Sequence, residues 1–135
     1  MIKEDLGARL APRLLSLLRI VAAFTYMTHG TQKLFGVPVL EPKPTAELFS
    51  LFGAAGVIET FGGLLLLLGL FTRPVAFLLS GEMAVAYFMF HFPRSFWPIL
   101  NGGEPVVLFC FLYLYLAAAG GGEWALDRVL ARRRS

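Results

Sequence analysis

The sequence predicts an all-α fold, an integral membrane four-helix transmembrane bundle. Three observations predict it. The chain has 135 residues, of which 57% are hydrophobic and only 16% charged. Its mean hydropathy is +0.69, well above the usual soluble range. The apolar residues fall into four blocks, at about 14–35, 54–71, 75–92 and 106–122, each close to the ~20 residues a helix needs to cross ~30 Å of hydrocarbon. A soluble core helix of that length carries a polar stripe, whereas "GGLLLLLGLF" and "VVLFCFLYLYLAAA" are apolar all round. The length predicts one domain over residues 1–135.

The first block follows a basic segment, as a signal peptide would. Its apolar run is too long for one, and no small-residue cleavage pattern precedes the cluster "HGTQK", so a retained helix is expected. After it, "VPVLEPKP" is too proline-rich to continue a helix. "TAELFSLF" then reads as a short interfacial helix with Thr45 as its cap. The second and third blocks are joined by "GLFTRP", with Gly69 near one helix end and Pro74 near the next start. "PRSFWP" precedes the fourth block and places Phe96 and Trp97 at one interface, while Trp124 lies at the other.

Four spans put both termini and the "GLFTRP" turn on one side. That side holds Lys3, Arg9, Arg13, Arg73, Arg128, Arg132, Arg133 and Arg134, against Lys33, Lys43 and Arg94 opposite. The positive-inside rule therefore predicts that both termini are cytoplasmic. The net charge of +3 needs no nucleic-acid partner, because a basic tail beside anionic lipid accounts for it. Cys110 is the single cysteine, so no internal disulfide or dithiol chemistry is available.

Polar residues converge at the end opposite the termini. At ~100° per residue, Arg19, Tyr26, His29 and Lys33 fall within about 80° of one another on the first helix, with Gln32 at the margin. Glu59 lies near the start of the second span, with Gly56, Gly62 and Gly63 on its face, a pattern that admits a close neighbouring helix. His91 ends the third span, and Asn101 and Glu104 begin the fourth. His29, Gln32, Lys33, Glu59, Asn101 and Glu104 are thus candidate ligand-binding residues at one depth. The alternative is a structural network that holds four helices in register. His91 has an interfacial reading of its own. Deeper in the membrane, Arg19 and Glu82 sit at depths that differ by ~3 Å when counted from the apolar block ends, which predicts a buried ion pair. No metal site is expected.

The ordered set "HGTQKLFG", "GVIETFGGLLLLLGLFTRP", a glutamate in the third span, "NGGE" and "GGGEWALD" resembles the DoxX family of small bacterial membrane proteins, from about Arg19 to Asp127. Ala125 stands where the family often has serine in the closing pattern. The resemblance implies a four-helix transmembrane bundle. It also implies an association with quinone-linked oxidation of sulfur compounds, with membrane redox complexes or with membrane assembly factors.

Four functions are consistent with these residues. In the first, the chain is an accessory subunit of a quinone-linked membrane redox system. His29, Gln32 or Lys33 then donates to the head group, and Glu59 or Glu104 relays protons. The chain has no CxxC and no GxGxxG, so it brings no intrinsic cofactor beyond a bound quinone, and electrons must come from a redox partner protein. The second is a non-catalytic lipid- or protein-binding assembly factor. The third, a small transporter, is disfavoured by the strong basic bias. The fourth, haem held by His29 and His91, has the required two helices but little else to favour it. The lipid bilayer is the certain partner, and the glycine faces are suited to a homo-oligomer.

Overall fold

The structure is a computed structural model and describes residues 5–39, 41 and 44–135. Lys3 and Lys43, two of the basic residues on which orientation is counted, lie outside the described residues. Among the described residues six helices follow in chain order: α1 Leu6–Phe35, α2 Leu51–Leu68, α3 Thr72–His91, α4 Pro98–Asn101, α5 Glu104–Ala119 and α6 Leu126–Arg134. α1, α2 and α3 are long and apolar enough to cross a membrane, and α5 is a shorter apolar helix of 16 residues. The fold is all-α and that of a helical membrane protein.

Caps explain where the helices depart from the expected apolar blocks. α1 begins at Leu6 because the Asp5 side chain accepts from Gly7 N–H at 3.0 Å. It ends at Gly36, whose φ of 67° is left-handed and whose N–H returns to Gln32 O. No helix starts at Thr45. The Ala46 N–H donates to Lys33 O at 2.8 Å, which ties this segment to the end of α1 and away from a helical ladder. Ser50 is the cap instead, its Oγ accepting from Gly53 N–H at 3.0 Å. α2 stops at Leu68 because Gly69 turns left-handed, at φ 72°. α5 stops at Ala119, three residues short of the expected end, since the glycines that follow turn back toward α1.

The helices form two tight pairs, α1 with α2 and α3 with α5. Glycines set the first pair. A Cβ on Gly30 would lie 2.5 Å from Thr60 N and 2.8 Å from Gly56 O, and one on Gly63 would lie 2.8 Å from Met27 Cβ. These backbones therefore meet with nothing between them. In the second pair, Ser80 Oγ donates to Cys110 O at 2.8 Å. The pairs join through larger groups: Tyr26 packs its ring on Phe109 and Tyr113, and Tyr113 Oη donates to Ala22 O. Outward faces carry Phe24, Phe77, Leu108 and Phe111, all exposed, as suits side chains that meet acyl chains.

Candidate functional site

Two of the spans contain a π-helical turn, Ile58–Gly62 in α2 and Tyr87–His91 in α3. Such turns insert one extra residue into a helix and re-aim the side chains around it, and they recur at functional sites. Here the first carries Glu59 and the second carries His91. Around the first turn, Gly56 and Gly63 face α1 while Gly62 faces Leu79 of α3, so the glycines near Glu59 serve two neighbours rather than one.

Glu59 is buried, and Lys33 Nζ reaches both of its oxygens, at 2.6 and 2.7 Å. This ion pair links α1 to α2, with 4% of the Glu59 side chain and 30% of the Lys33 side chain exposed. A carboxylate so placed needs that partner, since an unpaired charge inside the bilayer is strongly unfavourable. About two helical turns deeper along α1 than Lys33, Tyr26 Oη donates to Glu82 Oε2 across the seam between the helix pairs. The other oxygen, Glu82 Oε1, is buried with no hydrogen-bond partner.

These groups share a cavity of about 390 Å³ between α1, α2, α3 and α5. Its polar wall is Tyr26, His29, Lys33, Glu59, Glu82 and His91, and its apolar wall includes Phe52, Met83, Phe90 and Phe109. His91 is oriented by a contact of 3.0 Å between its Nδ1 and Asn101 O.

The other predicted residues are placed differently. Gln32 turns aside, donating to Pro38 O at 3.1 Å, and lines a neighbouring hollow of about 890 Å³ together with Lys33. Asn101 is buried but does not line the cavity. Its amide donates to Ser95 O and Tyr87 Oη, and its Oδ1 accepts from Gly103 N–H, so it fastens the α4 corner. Glu104 is exposed in the first turn of α5, where a carboxylate suits the helix dipole.

The expected Arg19–Glu82 pair is not formed. Arg19 is 1% exposed and donates to three carbonyls instead: Gly121 O at 2.8 Å, and Leu66 O and Leu67 O at 2.6 Å each. Two of these belong to the last turn of α2, where carbonyls have no partner in the helix. Counting depth from the apolar blocks misled, because α1 starts eight residues before Leu14. Tyr26, the residue level with Glu82, lies seven residues beyond Arg19, or ~10 Å along the helix.

Arg19 belongs to a clamp at the opposite end, built by "GGGEWALD". Ser16 Oγ accepts from Trp124 N–H, Pro12 O accepts from Glu123 N–H, and Arg13 pairs with Glu123 at 3.2 Å. Asp127 accepts from Phe71 N–H and Thr72 N–H, at 2.8 Å each, and so caps α3 from more than fifty residues away. This holds Phe71 at φ 51°, a left-handed value rare for a bulky residue. Burial works to raise the Asp127 carboxyl, but the backbone donors and the nearby Arg19 charge outweigh it and keep it below the ordinary carboxylate range.

Sequence reasoning missed Tyr26 and Glu82 as cavity residues, along with the apolar wall. Tyr26 stands three residues before His29, one helical turn away, and that spacing was the available signal. Nothing local marks Met83 or Phe109, which reach the cavity only through helix packing.

Comparison with known proteins agrees with the architecture. The DoxX family profile matches residues 14–92, more than half of the chain. An uncharacterized protein of Haemophilus influenzae is 44% identical over 120 residues, covering 86% of this chain and 90% of that protein. The uncharacterized membrane protein Rv3486 of Mycobacterium tuberculosis is 27% identical over 133 residues, covering 86% of this chain and 80% of its own length. No solved structure matches. The chain belongs to the DoxX family and is a small, multi-pass integral membrane protein.

Proposed function

We propose that the cavity between α1, α2, α3 and α5 binds the head group of a membrane quinone, and that the chain is an accessory subunit of a membrane redox system. The observation that carries this reading is Glu82 Oε1, a buried and unpartnered carboxylate oxygen on the wall of a largely apolar cavity. Such an atom calls for a ligand that brings a polar edge on a flat, otherwise apolar body. A bound quinone would supply two-electron, two-proton chemistry. The chain's own residues do the rest. His29 donates to a carbonyl oxygen at the cavity mouth. Glu82 takes up or gives a proton at Oε1 while Tyr26 fixes Oε2. Lys33 neutralises Glu59, so that the site does not hold two uncompensated carboxylates. Electrons come from a partner protein, because the single cysteine leaves the chain without a dithiol of its own.

The test is to purify the protein without added ligand, extract it with organic solvent, and examine the extract by absorbance and mass spectrometry. The expected result is a quinone near one per chain, lost in His29→Ala and in Glu82→Leu. Lipid alone, equal in all samples, would sink the reading. The full pairing of Lys33 with Glu59 favours a second reading, in which the cavity holds a lipid and the chain acts as an assembly factor.

The orientation is also part of this proposal. Arg9, Arg13, Arg73, Arg128, Arg132, Arg133 and Arg134 all belong to the end that carries the clamp, which supports a cytoplasmic placement of both termini in a bacterial inner membrane. Reporter fusions to each terminus, active only on one side of the membrane, test this directly.

A further inference from the structure

A separate cleft of about 670 Å³ lies at the clamp end, bordered by the turn between α2 and α3, by the loop Gly120–Gly122 and by α6. Arg73 and Arg128 line it. Asp127 lines it too, with both oxygens accepting backbone N–H groups, and the nearby Glu123 pairs with Arg13. Arg73 keeps its guanidinium at the rim by donating from Nη1 to Ala118 O at 2.8 Å, which leaves its remaining donors for a ligand. α6 continues away from the cleft with Arg132, Arg133 and Arg134 in its last turn. Leu126, Val129 and Leu130 are about 40% exposed. At ~100° per residue they span about 100° of the helix, a narrow apolar stripe among cations.

We propose that this cleft takes the phosphate head group of an anionic phospholipid. Arg73 and Arg128 contact the phosphate, and the apolar stripe of α6 lies against the acyl region. Three features select this occupant. The lining carries two arginines against the single carboxylate of Asp127, so it stays net positive and complementary to a phosphate. The arginine fork suits a phosphate better than a point charge does. α6 starts where the bundle ends, because Asp127 anchors its first turn to the N-terminus of α3, so its position coincides with the membrane surface. The site shares no lining residue with the cavity around Glu82, and its existence does not depend on what that cavity binds.

The test uses the full chain reconstituted into vesicles of equal parts phosphatidylcholine and phosphatidylglycerol, then released in mild detergent and examined by native mass spectrometry. The expected result is retained phosphatidylglycerol in excess over phosphatidylcholine. Arg128→Gln should reduce that retention about fivefold, the weight of one basic residue at an anionic surface. Arg94→Gln, at the opposite end, should leave it unchanged. Equal retention of the two lipids would overturn the proposal, as would an Arg128→Gln protein that retains as much phosphatidylglycerol as the parent. Loss of equal size in Arg94→Gln would also overturn it, by reducing the effect to net charge.

Discussion

Tyr26 of α1 donates its phenolic proton to Glu82 of α3, and with this bond the two tight helix pairs are joined by a polar contact at the depth of the cavity. The same tyrosine ring packs edge-on against Tyr113 of α5, with centroids 5.1 Å apart. One side chain therefore touches two helices of the opposite pair and lines the candidate site as well. Its ring and its hydroxyl have different tasks, and substitutions can separate them.

Tyr26→Phe keeps the ring and removes the donor. The expected loss of stability is about 1–3 kcal/mol, because Glu82 then has neither oxygen satisfied. Adding Glu82→Leu to Tyr26→Phe should recover part of that loss. Unfolding in mixed micelles measures both, and a double variant weakened by the full sum of the single losses would show that the bond is not the coupling.

Arg19 makes a contrasting case. Arg19→Ala removes the buried bonds to three carbonyls, of which Leu66 O keeps Gly69 N–H and Gly121 O keeps Ser16 Oγ. It should destabilise by about 3 kcal/mol through the lost bonds and the cavity left behind. Glu82→Gln should neither rescue nor deepen this, since the two residues share no bond. The interaction term in a double-mutant cycle should stay within about 0.5 kcal/mol. A large term would restore the ion pair that the sequence suggested.

How much of this was legible beforehand can be judged from these two residues. The sequence marked both as intramembrane charges that need partners, and each has hydrogen-bond partners, though not the other. Partner choice failed because depth was counted from apolar blocks, whereas the helix that carries Arg19 continues well beyond its block. A backbone carbonyl partner also leaves no mark in sequence, because every residue has one.

Glycine substitutions should divide sharply. A Cβ on Gly30 would meet backbone atoms of Thr60 and Gly56, which cannot move aside without separating α1 from α2. Gly30→Ala should therefore destabilise by about 3 kcal/mol, the upper part of the usual overpacking range. Gly81 has nothing within 4 Å of such a Cβ and lies inside α3. Gly81→Ala should stabilise by about 0.5–1 kcal/mol. Thermal unfolding of the two purified variants is the check, and similar behaviour would mean that helix approach does not govern this fold.

The Asp127 clamp should respond to pH with a defined sign. Its carboxyl is held below the ordinary range in the folded chain. Its contribution is therefore present in full above the unfolded value of about 3.9, and is lost as pH falls through the lower folded value. Asp127→Asn should be less stable than the parent at neutral pH, and the difference should narrow only below about pH 4. A difference that closes already between about pH 5 and pH 7 would show that another group governs the clamp.

The sequence by itself determined the solvent. Four long apolar blocks, two of them holding stretches that are apolar all round, have no stable place but a bilayer, and inside a bilayer the backbone must be helical to satisfy its own hydrogen bonds. It also determined which side chains would be under electrostatic demand, since Lys33, Glu59, Glu82 and Arg19 announce themselves by standing in apolar surroundings. Tertiary structure alone decided how each demand was met. The rotation and depth of every helix depend on where its caps fall, on two π-helical turns and on backbones that meet at Gly30 and Gly63, and an error of one turn in any of them exchanges one partner for another. That is why Glu59 finds Lys33, Glu82 finds Tyr26, and Arg19 finds the carbonyls at the end of α2.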